Sequence, residues 1–424
     1  MNDLCPNQSS NTGESRTNQH INKVNEGLSE AIKVVEDASH LQHLLINLDD
    51  VSYAETYNFV NENYVDSTEK RIILLQSTEN AFLVRFEKHS IYFRFMHDIL
   101  PKIQCDQSLT SKLLFFEISD SFFFRNVLIK LNLIHIDEII HIFLNNPQQY
   151  KNIHDEVKKL CFADYMTTEQ KNTHIKNSQK NQNFNHIEEN NDYLNDNENF
   201  KKLREEGVNH HKIAEIIRSD DVGFLKTYLN QNIKRFPRGY KSIIPYSAAE
   251  GFDFLREKQC TLIGYAAFYK AEKVFFFLEN HLKKVSPSEI ELAIAGGNMN
   301  IVNYIFKKYD IDQNNIRTYL KTAIAFFHDN IVDILRPIWN QKMIFDSYNN
   351  NAKYFLEYFN SNETTDFLCD DIYEISYSPS YLVKVFLMKY SQCLQPHHLK
   401  HLAVFAHDND KTTNVKIIET YCVT

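Results

Sequence analysis

Residues 259–308 read QCTLIGYAAFYKAEKVFFFLENHLKKVSPSEIELAIAGGNMNIVNYIFKK, and they carry one helical pattern twice. Ala266 returns as Ala293, and the apolar pair Val274-Phe275 returns as Ile301-Val302, each after 27 positions. Because the markers of both helices shift by the same distance, the repeating unit is a pair of helices. The pattern predicts pairs that stack side by side and cover each other's apolar faces.

A third copy follows 30 positions further on, where Ala323 takes the place of Ala293, so the clearest repeats span 261–336. The whole chain has 424 residues, which predicts two or three domains. It contains 9 Gly and 9 Pro, too few for the many tight turns of a β-rich protein. These observations together predict an all-α fold.

Charge and cysteine usage narrow the class of protein. The net charge of −9 is spread over faces of mixed sign, which argues against nucleic acid as a partner. The 7 cysteines are widely spaced and form no CxxC, as is typical of a reducing compartment. The first 26 residues contain no apolar signal segment, and charges interrupt the most apolar stretch, 113–145. We therefore expect a cytoplasmic protein without a membrane span.

Composition divides the chain into four parts. Residues 1–25 are polar and predict a disordered tail, and residues 26–165 show helical periods that predict an all-helical N-terminal domain. Residues 166–199 are rich in asparagine and predict a linker. Residues 200–424 hold the repeats, which become irregular at both ends of that range.

Two segments have the S-x-x-E spacing of a capping box. In this motif the serine accepts from the third helical N–H and the glutamate accepts from the N–H of the serine. Ser52 and Glu55 predict such a start for a helix over about 53–64. Ser286 and Glu289 predict another, strengthened by Pro287 at the first helical position.

The segments REEGVNHHKIAEIIRSDD (204–221), TLIGYAAFYKAEKVFFFL (261–278) and ELAIAGGNMNIVNYI (291–305) resemble divergent ankyrin repeats of a greatly expanded family in parasitic protists. Members of that family have an N-terminal helical domain, a polar linker and then ankyrin repeats. The resemblance implies an ankyrin-repeat α-solenoid after the N-terminal domain. It also implies a non-enzymatic protein that binds other proteins.

The chain departs from the usual ankyrin pattern in two ways. The helical pairs recur after 27 and 30 residues, fewer than the common ankyrin period of about 33. Because both helices of each pair are intact, we expect the missing residues to come from the β-hairpin finger of the repeat. Lys270 and Phe327 stand where the glycine between the two helices belongs, whereas Gly297 keeps it. A left-handed residue other than glycine costs about 1 kcal/mol or more, so we expect these turns to be rebuilt.

With short fingers, partner contact is expected to shift to the first helix of each pair and its end. Aromatic side chains there are suited to anchor a partner, although they could equally fill gaps between short repeats. Polar residues on the same rim are as well explained by solvated surface. The candidate protein-binding residues are Phe268, Tyr269, Lys270, Glu291, Phe326 and His328.

The sequence gives little support to a metal site or to an enzyme active site. His397 and His401 lie four apart on one helix face, as zinc ligands do, but Pro396 predicts that the helix begins between them and Cys393. We expect a polar helix start and no metal. The motifs GxSxG, HExxH and the P-loop are absent from the sequence, so no catalytic residue and no cofactor is predicted.

The function that follows is non-catalytic: the concave face of the repeats binds a partner protein whose identity the sequence does not give. The alternative is a structural scaffold that self-associates into a homo-oligomer. The N-terminal helical domain or the asparagine-rich linker would then carry the contact.

Overall fold

The computed structural model describes most of the chain, and the longest ranges that it leaves out are 146–206, 340–350 and 362–374. The described residues are 11–119, 121–145, 207–245, 247, 250–252, 254–255, 260–282, 284–339, 351–361, 375–376, 378–391, 394–408 and 411–422. Within these residues the secondary structure is helical and includes no β-strand. The prediction of an all-α fold is confirmed. The predicted linker, 166–199, lies outside the described residues.

Nineteen α-helices are described, numbered here in chain order. They are α1 (Asn11–Ile46), α2 (Tyr53–Asn63), α3 (Thr68–Val84), α4 (His89–Ile103), α5 (Ser111–Leu113), α6 (Phe122–Lys130), α7 (Ile136–Asn145), α8 (Lys212–Arg218), α9 (Val222–Gln231), α10 (Leu262–Phe268), α11 (Glu272–His281), α12 (Pro287–Gly296), α13 (Met299–Lys308), α14 (Gln313–Ala325), α15 (Asp329–Leu335), α16 (Ala352–Ser361), α17 (Ser380–Tyr390), α18 (Pro396–Asp408) and α19 (Thr412–Cys422). None of these described helices is long and apolar enough to cross a membrane.

The chain forms two compact units. One consists of residues 44–342, and the other combines residues 1–43 with 343–424. The second unit therefore joins most of α1 to the helices that follow the clear repeats. Within it, α16 packs on α17, and α19 packs on both α17 and α18. The predicted domain borders near 165 and 200 fall outside the described residues and stay predictions.

The described part of the chain begins at Asn11, which is also the first residue of α1. The predicted division between a tail of residues 1–25 and a helical domain from residue 26 stays a prediction.

The predicted helical pairs are present in the unit of residues 44–342. The pairs are α8 with α9, α10 with α11, α12 with α13, and α14 with α15, and the two helices of each pair pack on each other. The first helices also pack in succession, α8 on α10, α10 on α12 and α12 on α14. The second helices do the same from α9 to α11 to α13. The result is a two-layered stack in which neighbouring pairs share their apolar faces.

The backbones of α10 and α12 approach each other closely at the carboxyl ends of the two helices. Gly296, the last residue of α12, lies where an added Cβ would be 2.3 Å from the carbonyl oxygen of Ala267 and 2.7 Å from that of Phe268. Only a hydrogen in place of the side chain lets the backbones of α10 and α12 approach this far.

The turn inside each pair keeps one conformation in spite of its varied sequence. Asp220, Lys270, Gly297 and Phe327 have φ values of 56°, 59°, 71° and 55°. The expectation that Lys270 and Phe327 would have rebuilt turns is therefore wrong. In both turns the residue after the left-handed position donates a hydrogen bond back to the first helix. The Ala271 N–H donates to the Ala266 carbonyl at 2.8 Å, and the His328 N–H donates to the Ala323 carbonyl at 2.9 Å. These bonds and the packing of both helices outweigh the cost of a left-handed residue.

The two predicted capping boxes have different outcomes. At α12 the box is confirmed, because Ser286 accepts from the Glu289 N–H while the Glu289 carboxylate accepts from the Ser286 N–H. At α2 the helix is confirmed but the box is wrong. The Ser52 hydroxyl instead accepts from the Asp49 N–H at 3.0 Å and belongs to the preceding turn.

A short antiparallel contact precedes α10. Ile243 and Thr261 form an isolated bridge, and the Ile244 N–H donates to the Cys260 carbonyl at 2.8 Å. These bonds hold Ile243 and Ile244 beside the start of α10. Every residue of α10 is buried.

Glu279 joins the second helices of two neighbouring pairs. Its side chain is 1% exposed, yet it accepts hydrogen bonds from the Tyr304 hydroxyl at 2.7 Å and from the Tyr309 hydroxyl and the Lys308 ammonium. Burial raises the pKa of this carboxyl, but the hydrogen bonds from Lys308, Tyr309 and Tyr304 together outweigh burial, so the pKa is lowered. The carboxylate therefore ties α11 to α13.

We expect Glu279→Ala to lower the free energy of unfolding by about 1–3 kcal/mol, because it leaves two hydroxyls and an ammonium without their acceptor. Urea unfolding followed by circular dichroism measures the loss. Glu215→Ala is the matched control, since Glu215 also pairs with a lysine but its side chain is 59% exposed. Equal losses for the two variants would contradict the role given to Glu279.

Candidate functional site

The candidate site lies where the first helices end. We call residues 268–270, 295–297 and 326–328 the turn edge; they are the ends of α10, α12 and α14 with the turns that follow. The common left-handed turn places the three ends in the same relation to their pairs. The stack of α10, α12 and α14 then sets them side by side.

The two aromatic residues at the end of α10 are buried. Phe268 is 1% exposed and Tyr269 is 8% exposed. Their ring centroids lie 5.3 Å apart, and Phe268 lies 6.1 Å from Phe326 at 88°. In this conformation Phe268 and Tyr269 offer almost no surface to a partner, so they belong to the support of the turn edge rather than to its rim.

Phe326 and His328 are half-buried and lie close together. Their rings stack with centroids 6.4 Å apart, and the His328 Nε2–H donates to the Ala295 carbonyl at 2.9 Å. A Cβ at Gly297 would be 2.2 Å from the His328 ring, so the glycine makes room for the imidazole. Burial lowers the pKa of His328 to about 4, and the charges of Arg85 and Lys270 act in the same direction. The ring is therefore neutral at pH 7.

Lys270 and Glu291 are the polar members of the predicted set. The Lys270 Nζ lies 3.7 Å from the Glu87 carboxylate, which also lies 3.9 Å from an Arg85 nitrogen. Glu291 instead faces α14, where it accepts from the Thr322 hydroxyl at 3.3 Å. The structure thus gathers five of the six predicted residues around the turn edge and places Glu291 further along α12.

Polar side chains also bond one turn to the next pair. The Asp220 carboxylate accepts from the N–H groups of Lys273 at 3.2 Å and Val274 at 2.8 Å, which start α11. Glu272 in turn accepts from the Asn300 amide at 3.1 Å. These bonds fix the spacing of the pairs, so the turn edge is preformed.

Residues that sequence reasoning missed cover part of the turn edge. Phe252 packs on Phe268 with centroids 5.0 Å apart, and Phe254 packs on Phe326 at 5.5 Å. Glu250 is 3% exposed and accepts from the Tyr269 hydroxyl at 2.8 Å. The one signal in the sequence is the alternation of Phe252 and Phe254 in a segment without helical periodicity.

A buried carboxylate influences two tyrosines of α10 and its turn. The Tyr265 hydroxyl donates to Glu250 at 3.3 Å and accepts from the Arg218 guanidinium at 2.6 Å. Burial raises the pKa of Tyr265 and of Tyr269 well above the usual value, and the negative charge of Glu250 raises both further. Both hydroxyls thus stay protonated and act as donors to Glu250.

The arrangement is suited to recognition by shape, aromatic contact and a few charges. In the described part of the chain, no three His, Cys, Asp or Glu side chains are placed to hold a metal ion. The rings of His397 and His401 lie 6.1 Å apart on α18, while Cys393 is outside the described residues.

The chain was compared with protein-family models, with curated proteins and with solved structures. None of the three comparisons found a match.

Proposed function

We propose that the chain is a non-catalytic protein-binding module, and that its stacked helical pairs are divergent ankyrin repeats. The observation that carries the proposal is the recurrence of one left-handed turn at Lys270, Gly297 and Phe327. Such a recurrence sets equivalent side chains of successive pairs in a row. Repeat proteins use rows of this kind as extended binding surfaces.

The partner contacts the rim of the turn edge on the concave side of the stack. Lys270, Phe326 and His328 supply it with charge, a hydrogen-bonding group and aromatic surface, and Glu291, further along α12, adds a second charge beside the rim. All four residues are half-buried. Phe268 packs on Phe326, and Tyr269 packs on Phe268, so both aromatic residues support the rim. A surface held by this much packing binds with little rearrangement, which lowers the entropic cost of association.

The test is affinity capture from a native lysate with the full chain, followed by mass spectrometry. We expect Lys270→Ala/Glu291→Ala to reduce capture of the partner by about tenfold, since loss of interface anchors typically costs more than about 1 kcal/mol. Lys307→Ala/Asp333→Ala is the matched control, because both of its residues are exposed on second helices. It should capture as the unchanged chain does.

Two outcomes would count against the proposal. Equal capture by the rim variant and the control would remove the turn edge as the binding surface. Capture of the chain's own copies alone would favour the self-associating scaffold, which light scattering at several concentrations would then measure.

A further inference from the structure

The segment Glu250-Gly251-Phe252 with Phe254 lies on the turn edge in the manner of a bound peptide. Its carboxylate and two aromatic rings contact groups on α10 and in the turns after α10 and α14, and Arg218 of α8 donates to one of these groups, Tyr265. The groups that receive it are Arg218, Tyr265, Phe268, Tyr269 and Phe326, which we call the turn-edge pocket. Each part of the segment meets a complementary part of this pocket.

The acidic end is held by donors built into the first helices. Glu250 accepts from the Tyr269 hydroxyl at 2.8 Å and the Tyr265 hydroxyl at 3.3 Å. The Arg218 guanidinium donates to the Tyr265 hydroxyl at 2.6 Å and so brings a positive charge near the carboxylate. A carboxylate that is 3% exposed needs such donors, because burial without them is strongly unfavourable.

The aromatic end makes contacts of defined geometry. Phe252 meets Phe268 at 71° and Tyr269 at 84°, and Phe254 meets Phe326 at 65°. Edge-to-face pairs of this kind are favourable beyond the area that they bury. They also set the spacing of the two rings, which are two positions apart in the sequence.

Gly251 makes the segment selective for a small residue between its two ends. Its N–H donates to the Gly207 carbonyl at 2.9 Å. A Cβ at this position would lie 3.0 Å from the Gly207 oxygen and 3.3 Å from its Cα, and backbone atoms do not move aside easily. The pattern that fits the pocket is therefore Glu-Gly-Phe-x-Phe.

We propose that the turn-edge pocket is a recognition site for peptide segments of the pattern Glu-Gly-Phe-x-Phe in a partner protein, and that the chain's own Glu250, Gly251, Phe252 and Phe254 occupy it until such a segment displaces them. The inference rests on the proposed function, because it names a class of partner for a pocket that adjoins the rim and shares Phe326 with it. The resident segment itself shows the chemistry that the pocket accepts. Its tether gives it a high effective concentration, so the partner segment has to be in excess or bind further parts of the rim.

The experiment uses a fluorescein-labelled peptide of residues 247–256, with the sequence SAAEGFDFLR. The protein is the full chain with Glu250→Ala, Phe252→Ala and Phe254→Ala, whose own segment no longer fills the pocket. Fluorescence anisotropy should show that this triple variant binds the peptide about tenfold or more tightly than the unchanged chain, in which the tethered segment competes. A peptide with the same three alanines is the control and should not bind.

Phe326→Ala added to the triple variant should weaken binding, which places the peptide in the pocket. A triple variant that keeps its helical circular dichroism and cooperative melting, but binds the peptide no better than the control peptide, would overturn the proposal. If the triple variant does not fold, Gly251→Ala replaces it, because the added methyl group weakens docking of the resident segment alone. A folded Gly251→Ala chain without a gain in peptide binding would overturn the proposal equally.

The outcome separates this inference from the proposed function, because the peptide assay needs no cellular partner. If the peptide fails to bind while the rim variant still loses its captured partner, the proposed function stands, and Glu250, Phe252 and Phe254 are a fixed part of the core. A concentration-dependent dimer of the unchanged chain that free peptide dissolves would assign the pocket to a second copy, and would overturn its assignment to a partner protein.

Discussion

Gly296→Ala is expected to lower the free energy of unfolding by about 3 kcal/mol or more, the upper part of the range for overpacked sites. The new Cβ would lie 2.3 Å from the Ala267 oxygen and 2.7 Å from the Phe268 oxygen. Both contacts are with backbone atoms, so relief requires that α10 and α12 move apart. The shift would extend to the turn edge, and urea unfolding of the full chain measures its cost.

Gly223→Ala provides the matched control, because Gly223 also lies in a helix of the stack. The nearest atom to its added Cβ is an Asp221 carboxylate oxygen at 3.4 Å, an ordinary contact. Alanine is the better helix former, so this variant should be unchanged or more stable by up to about 1 kcal/mol. A Gly296→Ala chain as stable as Gly223→Ala would show that the first helices do not approach as described.

Acidification is expected to destabilise the unit of residues 44–342 through two half-buried histidines. Burial lowers the pKa of His328 and of His89 from 6.5 to about 4. The unfolded chain takes up these protons first, so the free energy of unfolding falls as the pH drops from about 6.5 to about 4 and does not fall further from this cause below that. Because the half-buried rings keep some contact with water, we expect each histidine to contribute about 1–3 kcal/mol to this loss.

The surroundings of both rings explain why they resist protonation. His328 donates to the Ala295 carbonyl and faces Arg85 and Lys270, and Glu87 only partly offsets these two cations. His89 stacks on Phe82 with ring centroids 4.1 Å apart and lies 3.1 Å from the Phe82 carbonyl oxygen. Neither hydrogen bond compensates for the loss of water around a charged imidazole.

Urea unfolding at a series of pH values measures this effect. His89→Phe keeps a ring on Phe82 and should remove about half of the acid-dependent loss, since His89 and His328 have the same lowered pKa. His97→Gln is the control, since the side chain of His97 is 69% exposed. A free energy of unfolding that stays level between pH 6.5 and 4 would contradict the burial of both rings.

Local sequence signals predicted the helices and their pairing. The 27-residue shift of Ala266 to Ala293 reports a repeated unit, and the structure places these residues in corresponding helices α10 and α12. The capping box of Ser286 was predictable because all its partners lie within four positions. The same spacing at Ser52 failed because Asp49, just upstream, competes for the hydroxyl.

Features that depend on contacts between distant residues were not predictable in the same way. Propensity alone argues against a left-handed Lys270 or Phe327, yet the packing of both helices around each turn imposes that conformation. Likewise, the aromatic ends of the first helices suggested binding anchors. Whether Phe268 is exposed depends on Phe252, which lies in a segment without helical periodicity.

The most direct test of the stacked helical pairs is a methyl NOE experiment on the deuterated full chain with labelled Ile, Leu and Val methyl groups. We expect NOEs between α8 and α10, between α10 and α12, and between α12 and α14, with Ile216, Ile263, Leu292 and Ile324 among the reporters. Cross-peaks that link α8 directly to α14, or missing cross-peaks between successive first helices, would contradict it.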